Sequence, residues 1–174
     1  MEEALGISLL EALDGPQINC LNEDAQHTLK SILQDKKLNT SGNYLQSDAD
    51  EQLILNIPFN QVVRVRALII KSAGEPGQRP RRIKLFVNRP TLGFEDAVDA
   101  KEPEAAQIIE LTDEQVAEGK RIPLRFVRFQ SVNSLNIFVE TNGGDDVTRI
   151  DAIDVIGAQA QGTRDLSGLK VVED

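Results

Sequence analysis

The chain has 174 residues, of which 40% are hydrophobic, and this is enough for one domain with its own core. Its single cysteine excludes an internal disulfide, and no apolar run approaches the roughly 20 residues that a helix needs to cross a bilayer. The net charge of −9 argues against nucleic acid as a partner, and the acids near the N-terminus argue against a secretory signal. We therefore expect a soluble protein of the cytoplasm and nucleus that does not bind membranes.

The first part of the chain predicts two short helices and a loop. Ser8 and Glu11 have the spacing of a capping box, which predicts a helix over residues 9–13. Apolar residues at helical spacing predict a second short helix within residues 24–38. The polar sequence NTSGN at residues 39–43 then predicts a loop.

Beyond this loop, apolar and polar residues alternate with the period of two that is typical of strands. A turn is predicted at residues 60–61, and a loop rich in Gly and Pro at 72–80. Residues 88–103 are predicted to be irregular and acidic, and a short helix capped by Thr112 follows the fourth strand. The strands predicted from alternation cover residues 53–59, 63–69, 83–87, 107–111 and 148–156.

Residues 123–139, PLRFVRFQSVNSLNIFV, predict two further strands joined by a polar turn. Leu135, Ile137 and Val139 alternate with other residues, which predicts that these three share a buried face. Before the turn the apolar residues change phase, which indicates a bulge or a strand covered on both faces. Such a pair is only marginally stable alone, so the other strands must pack against it.

The order of the predicted elements favours an all-β fold. About seven strands with short turns, without regular alternation with helices, indicate a β-sandwich or jelly roll rather than an α/β fold. We predict one domain over residues 8–160, a flexible N-terminus at 1–7 and a polar tail at 161–174. We also expect the protein to be a monomer.

Few residues could carry catalysis. A nucleophilic site of the Ser-His or Cys-His type needs a histidine, and His27 lies on a predicted helix, where a solvated or capping role is the simpler interpretation. Cys20 has no neighbour in the sequence that would lower its pKa, so we predict a small buried residue. One Cys and one His do not make up a zinc site. We therefore expect no enzymatic activity and no cofactor.

Two acidic groups leave calcium binding as an alternative. Asp48, Asp50 and Glu51 form the first group, and Asp145 and Asp146 form the second. Hard cations bind clustered oxygens, but the spacing matches no EF-hand loop. Solvated turns explain both groups more simply, and a structural hydrogen-bonding role for Asp50 or Glu51 is a further interpretation.

A sugar site would need exposed aromatic faces beside polar groups. The chain has no Trp, and Tyr44 is its one tyrosine. Four of the six phenylalanines lie in predicted strands, where core packing is the simpler interpretation. These are Phe59, Phe86, Phe126 and Phe129.

Positive charge is concentrated between residues 64 and 89. This window holds eight basic residues and one acid, a net charge of +7 in a chain of −9, so the remainder carries −16. Within it, the sequence QRPRR at 78–82 lies at the end of a predicted loop, where binding residues often lie. The window therefore predicts a partner surface, with a solvated loop as the alternative. The residues proposed for contact are Arg79, Arg81, Arg82 and Arg89.

Several ordered segments resemble the PITH domain family, the proteasome-interacting module of thioredoxin-like proteins and of stand-alone PITH-domain proteins. They span roughly residues 9–157, and several are too long to match by chance. The matching segments are CLNE (20–23), LQSDADEQL (45–53), PFNQ (58–61), RIKLFVN (82–88), FEDA (94–97), ELT (110–112), PLRFVRFQSVNSLNIFV (123–139) and TRI (148–150).

The resemblance implies a β-sandwich jelly roll similar to the galactose-binding fold, with short N-terminal helices. It also implies docking on the proteasome regulatory particle, without catalysis by this domain. Thioredoxin-like members carry a Cys-x-x-Cys redox domain before this module, and no such pair is present here. The chain is then either a stand-alone member or a C-terminal domain that brings a redox activity to the proteasome. The fold also allows an alternative, a small-ligand or carbohydrate-binding module.

Overall fold

The computed structural model describes residues 6–159, within which the chain forms ten strands and three short helices. The predicted tail at 161–174 and most of the predicted flexible N-terminus lie outside the described residues. The helices are α1 (Leu29–Leu33), α2 (Phe94–Asp99) and α3 (Asp113–Glu118). The strands are β1 (Ile7–Ser8), β2 (Asn19–Leu21), β3 (Leu45–Gln46), β4 (Leu53–Lys71), β5 (Pro80–Val87), β6 (Gln107–Glu110), β7 (Ile122–Pro123), β8 (Val132–Asn142), β9 (Arg149–Ile150) and β10 (Ala152–Gln159).

The longest strand, β4, joins the two layers of a β-sandwich. From Leu53 to Pro58 it pairs with β8 on one side and β2 on the other, whereas from Val63 to Lys71 it pairs with β10 and β7. Its register with β8 shifts between Pro58 and Val63. The predicted turn at 60–61 is therefore wrong. A bulge provides the bend that a turn was expected to provide, and the strand continues into the second sheet.

The main core lies between these two layers and confirms the predicted alternation. Leu135, Ile137 and Val139 of β8 are all fully buried. Alternate residues of the neighbouring strands face them, as the period of two requires. The residues of those strands in this core are Leu53, Leu55, Ile57, Phe59, Val63, Val65, Leu68 and Ile70 on β4, Ile83 and Leu85 on β5, and Ile153 and Val155 on β10. The last two residues on β4 show that the alternation predicted over 63–69 fails at its end.

A second apolar cluster covers the other face of β5 and β8. Phe86 and Phe138 are fully buried there, beneath the segment that contains α2. The segment 88–103, predicted to be irregular, thus contains the six-residue helix α2, because this outer face also needs a cover. Lys84 holds the cover in place, since its Nζ donates hydrogen bonds to three carbonyl groups at the end of α2. These are the carbonyls of Ala97 (3.1 Å), Val98 (2.8 Å) and Ala100 (2.9 Å).

Of the two predicted N-terminal helices, the first is shorter than predicted and the second is confirmed. Ser8 lies in β1, and its Oγ donates to Asp154 Oδ1 (2.7 Å), so the predicted capping box does not form and only a 3₁₀ turn follows. The short helix predicted within 24–38 is confirmed as the five residues of α1, in which Leu29, Ile32 and Leu33 are buried. The prediction for α3 is confirmed, because Thr112 caps it and Gly119 ends it at φ +69°. Among residues 6–159 no helix is long and apolar enough to span a membrane.

The first strand predicted within residues 123–139 is wrong. Only Ile122–Pro123 pair with β4, and a 3₁₀ turn at Phe126–Arg128 follows. Phe129 takes the core position, where it is fully buried, and Phe126 is 51% exposed. The predicted core role is therefore wrong for Phe126 and confirmed for Phe129 and for the buried phenylalanines of β4 and β5.

Candidate interaction surfaces

Three of the arginines predicted to bind a partner lie around the start of β5, next to acids of neighbouring elements. Arg79 Nη1 lies 2.8 Å from Asp113 Oδ2, and Arg81 Nη1 lies 3.3 Å from Asp113 Oδ1. Asp113 opens α3, which the fold places beside this end of the strand. The carboxylate therefore serves two guanidinium groups and lowers the net charge of the predicted surface.

Arg82 is also paired, and Arg89 lies elsewhere. Arg82 bridges Glu110 of β6 and Glu140 of β8, the strands on either side of β5. The hydrogen bonds to these two carboxylates raise the pKa of Arg82 above its usual value. Arg89 follows the far end of β5, where its guanidinium lies 5.8 Å from the ring centroid of Phe86. The four arginines thus do not form one patch, and their role in binding stays a prediction.

A different surface presents two consecutive apolar side chains. Phe126 is 51% exposed and Val127 is 70% exposed, both on the 3₁₀ turn before β8. Among residues 6–159, the other exposed large hydrophobic residues are isolated from one another in the sequence: Ile7, Leu21, Leu38 and Val98. The phase change of the apolar residues in FVRF is the sequence signal for this surface, although it does not tell a bulge from an exposed turn.

The Phe126 loop, residues 124–129, is anchored at both ends by buried side chains. Leu124 is 8% exposed and its backbone N–H donates to the carbonyl of Arg66 (2.9 Å). At the other end, the backbone N–H of Val65 donates to the carbonyl of Phe129 (2.9 Å). Both anchors lie on the second half of β4, so the exposed pair is held on a rigid support.

Arginines surround the Phe126 loop. The guanidinium of Arg66 lies 5.8 Å from the ring centroid of Phe126. Both arginines within the loop contact Glu102 Oε1, which fixes them beside the apolar pair. The backbone N–H of Ile108, followed by these arginines, holds the pKa of Glu102 below its usual value, so this carboxylate is charged at neutral pH. Three arginines and one carboxylate thus lie at the loop: Arg66, Arg125, Arg128 and Glu102.

The two acidic groups of the sequence meet at one cleft. This cleft, of about 470 Å³, is lined by Asp50 and Glu51 from one group and by Asp145 and Asp146 from the other. Asp50 has a structural role, because its Oδ1 accepts a hydrogen bond from Asn22 Nδ2 (2.9 Å). Within residues 6–159, no three acidic, histidine or cysteine side chains are grouped so that they could hold a metal ion.

Both ring faces of Tyr44 are covered. The ring of His27 stacks on it with centroids 4.1 Å apart and planes at 11°, and the guanidinium of Arg149 lies 3.8 Å from its centroid. Two groups at these distances cannot share one face, so they lie on opposite faces. Tyr44 is thus not available to stack on a sugar, and His27 has a packing role that differs from the predicted solvated or capping role.

Cys20 lies on β2, half-buried against the main core. Burial, followed by the nearby charge of Glu23, raises the pKa of the Cys20 thiol well above its usual value. The thiol is therefore protonated at neutral pH, and the thiolate that thiol chemistry requires is scarce.

The whole chain, residues 1–174, matches the family model for the PITH domain. Thioredoxin-like protein 1 of Schizosaccharomyces pombe is 41% identical over 154 residues, which cover 86% of this chain and 51% of that protein. PITH domain-containing protein 1 of Danio rerio is 32% identical, and the matched residues cover 75% of that protein. PITH domain-containing protein 1 of Homo sapiens is 27% identical, and the matched residues cover 72% of it. The chain thus spans about half the length of the S. pombe protein.

Solved structures share the fold at low identity. The CBM32 domains of Clostridium perfringens ZmpB, solved in complex with GalNAc, match 91% of this chain and 38% of that one, with a TM-score of 0.61 and 8% identity. A fucolectin from Morone saxatilis serum matches 87% of this chain and 48% of that one, with a TM-score of 0.57 and 9% identity. These similarities establish the galactose-binding-like sandwich, and at this identity they concern the fold alone.

Proposed function

Because this chain belongs to the PITH domain family, we propose that it is a non-catalytic interaction domain that docks on the proteasome regulatory particle. The family match over residues 1–174 is the observation that carries the proposal, since docking is what membership implies. The chain is also similar to half of a protein named as thioredoxin-like. In a protein of that architecture, we expect this domain to bring the redox activity to the proteasome.

The architecture suits a docking function. Strand β4 pairs with β8 along its first half and with β10 along its second half, and so connects the two layers of the sandwich. The surface loops of the sandwich are therefore held on a rigid support. Rigid loops lose little conformational entropy when they bind, and this favours affinity. The exposed Phe126–Val127 pair supplies side chains of the kind that form the buried centre of a protein interface.

The proposal is tested by direct binding to purified particles. The chain would be immobilised and exposed separately to the regulatory particle, to the 20S core particle and to the 26S assembly. A galactose-binding-like domain from a bacterial enzyme, which has the same fold, serves as the control. We expect binding of the regulatory particle and of the 26S assembly only. Signals equal to those of the control domain, or equal binding of the 20S core, would contradict the proposal.

The proposal that this domain is not catalytic is tested separately, in an assay of insulin reduction. A protonated, half-buried Cys20 thiol should give no turnover above that of a Cys20→Ser variant. Turnover that is lost on substitution would show a redox activity in this domain.

A further inference from the structure

The geometry points to the Phe126 loop as the surface that contacts the regulatory particle, through an apolar pocket of the partner bordered by carboxylates. This inference rests on the proposed function and adds the contact residues and the chemistry of the partner. Phe126 and Val127 would enter the pocket, and the surrounding arginines would face its acidic border.

The apolar part of the argument is the exposure of two adjacent side chains on an anchored turn. Phe126 and Val127 expose 51% and 70% of their surface, while the residues at the two ends of the loop, Leu124 and Phe129, are buried. The ends of the loop are thus fixed by packing in the core, while Phe126 and Val127 at its tip take no part in that packing. Aromatic residues and arginines dominate the energetics of protein interfaces when they enter a desolvated pocket, and this loop presents both.

The electrostatic part of the argument is a group of arginines on an acidic protein. Arg125 and Arg128 belong to the loop and contact Glu102, and Arg66 lies over the Phe126 ring, in a chain whose net charge is −9. Such a surface attracts carboxylates and repels a second basic surface, which determines the chemistry of the partner. Planar guanidinium groups pair with carboxylates through two hydrogen bonds, so arginines suit the rim of such a contact.

The arginines at β5 are a weaker candidate for the same contact. Arg79 and Arg81 share Asp113, and Arg82 contacts two carboxylates of its own sheet. A carboxylate of the partner would have to compete with these acids. At the Phe126 loop one carboxylate, that of Glu102, serves two arginines.

The chain itself has a cleft of the same chemistry, which makes a second copy an alternative occupant. This cleft, of about 520 Å³, lies on α2 and is lined by Phe94, Glu95, Asp96, Val98 and Asp99. If it received the Phe126 loop of another molecule, the chain would associate with itself in a concentration-dependent manner. Sedimentation of the free protein distinguishes this occupant from the regulatory particle.

The test compares the wild type with the double variant Phe126→Ser/Val127→Ser in binding to purified regulatory particle. Leu38→Ser is the matched control, because Leu38 is 40% exposed and lies away from the loop in the sequence. We expect the double variant to bind at least about 30-fold more weakly, as is typical of a lost hot spot of ~2 kcal/mol. The control should bind like the wild type, and both variants should keep the wild-type melting temperature within a few degrees.

A second variant tests the electrostatic part without changing the apolar pair. Arg125→Glu reverses an exposed charge within the loop itself, since the Arg125 side chain is 54% exposed. We expect slower association at low salt and convergence with the wild type at high salt, because salt screens exposed charges beyond roughly 8 Å at physiological ionic strength. This variant also keeps the inference testable if the double variant unfolds.

Each outcome separates the two claims. If the wild type does not bind the regulatory particle, the proposed function falls and this inference falls with it. If the wild type binds and a folded double variant binds equally well, the inference alone is overturned. Loss of binding only in Arg81→Glu or Arg89→Glu would assign the contact to the arginines predicted from the sequence. Self-association that the double variant abolishes would assign the loop to a second copy.

Discussion

Replacing Lys84 by Met should loosen the layer that covers the outer face of β5 and β8. The Lys84 side chain is only 4% exposed, and its ammonium donates to the carbonyls of Ala97, Val98 and Ala100 at 2.8–3.1 Å. All three donors of the ammonium are therefore used. They join β5 to the C-terminal end of α2, where the helix dipole favours a positive charge.

The expected cost of Lys84→Met follows from two opposing terms. Hydrogen bonds of a charged donor contribute about 1.5–3 kcal/mol each, so three of them amount to roughly 5–9 kcal/mol before any correction. The substitution also removes the cost of burying an ammonium, which is several kcal/mol, while Met keeps most of the apolar stem. The free energy of unfolding should thus fall by about 2–4 kcal/mol, within the range for a broken buried polar network.

Urea unfolding of the wild type and of Lys84→Met measures this difference, and hydrogen exchange shows where it acts. We expect faster exchange of the Ala97 and Ala100 amides, because α2 loses its attachment to the sheet. Lys101→Met is the matched control, since Lys101 is exposed and close to the same segment, and it should change stability by less than about 0.5 kcal/mol. A Lys84→Met variant as stable as this control would refute the view that the ammonium holds the cover.

Three further predictions concern the core and the sheet. Ile137→Ala should lower the free energy of unfolding by about 2–5 kcal/mol because Ile137 is fully buried, and a loss below about 0.5 kcal/mol in urea unfolding would contradict the packing. Gly157 lies where the register between β10 and β4 shifts, and Gly157→Ala should cost about 1–3 kcal/mol because its Cβ would lie 1.8 Å from the carbonyl oxygen of Arg64. An unchanged midpoint in urea unfolding would show that the backbone relaxes there. Burial raises the pKa of Asp154, so the stability that its bound proton contributes is complete below the unfolded pKa of about 4 and is lost as pH rises through the folded pKa. Asp154→Asn keeps an acceptor for Ser8 Oγ, and its melting temperature should rise relative to the wild type between about pH 3 and 7, whereas a constant difference would contradict the sign of the shift.

The long strand β4 shows where local patterns were sufficient and where they failed. The alternation places the core residues correctly from Leu53 to Phe59 and from Val63 to Val65, because the period of two depends only on the strand itself. It fails at the end of the strand, where Leu68 and Ile70 are buried in the core and Ile69 is only half-buried. The predicted turn between them is wrong, because Asn and Gln after a proline are equally compatible with a bulge. Which of the two forms is decided by β8 and β10, which pair with successive halves of the same strand.

The arginines show the same limit for the candidate site. A charge window of +7 is a property of the sequence, but the acids that pair with it come from outside it: Asp113, Glu110 and Glu140. Exposure of Phe126 could not be predicted either, because FVRF offers two phenylalanines for one core position. The fold buries Phe129, whose carbonyl accepts from Val65, and the 3₁₀ turn then directs Phe126 outward.

The sequence by itself determined the all-β class, the buried face of β8, the capped helix α3 and, through its long ordered motifs, the family. These properties depend on neighbours along the chain, whose spacing is fixed by the covalent backbone. Only the tertiary structure decided which charges are neutralised and which apolar residues remain outside. Both depend on contacts between residues far apart in the sequence, such as Glu102 with Arg128 and Arg82 with Glu140, and such contacts exist only once the sheets have formed.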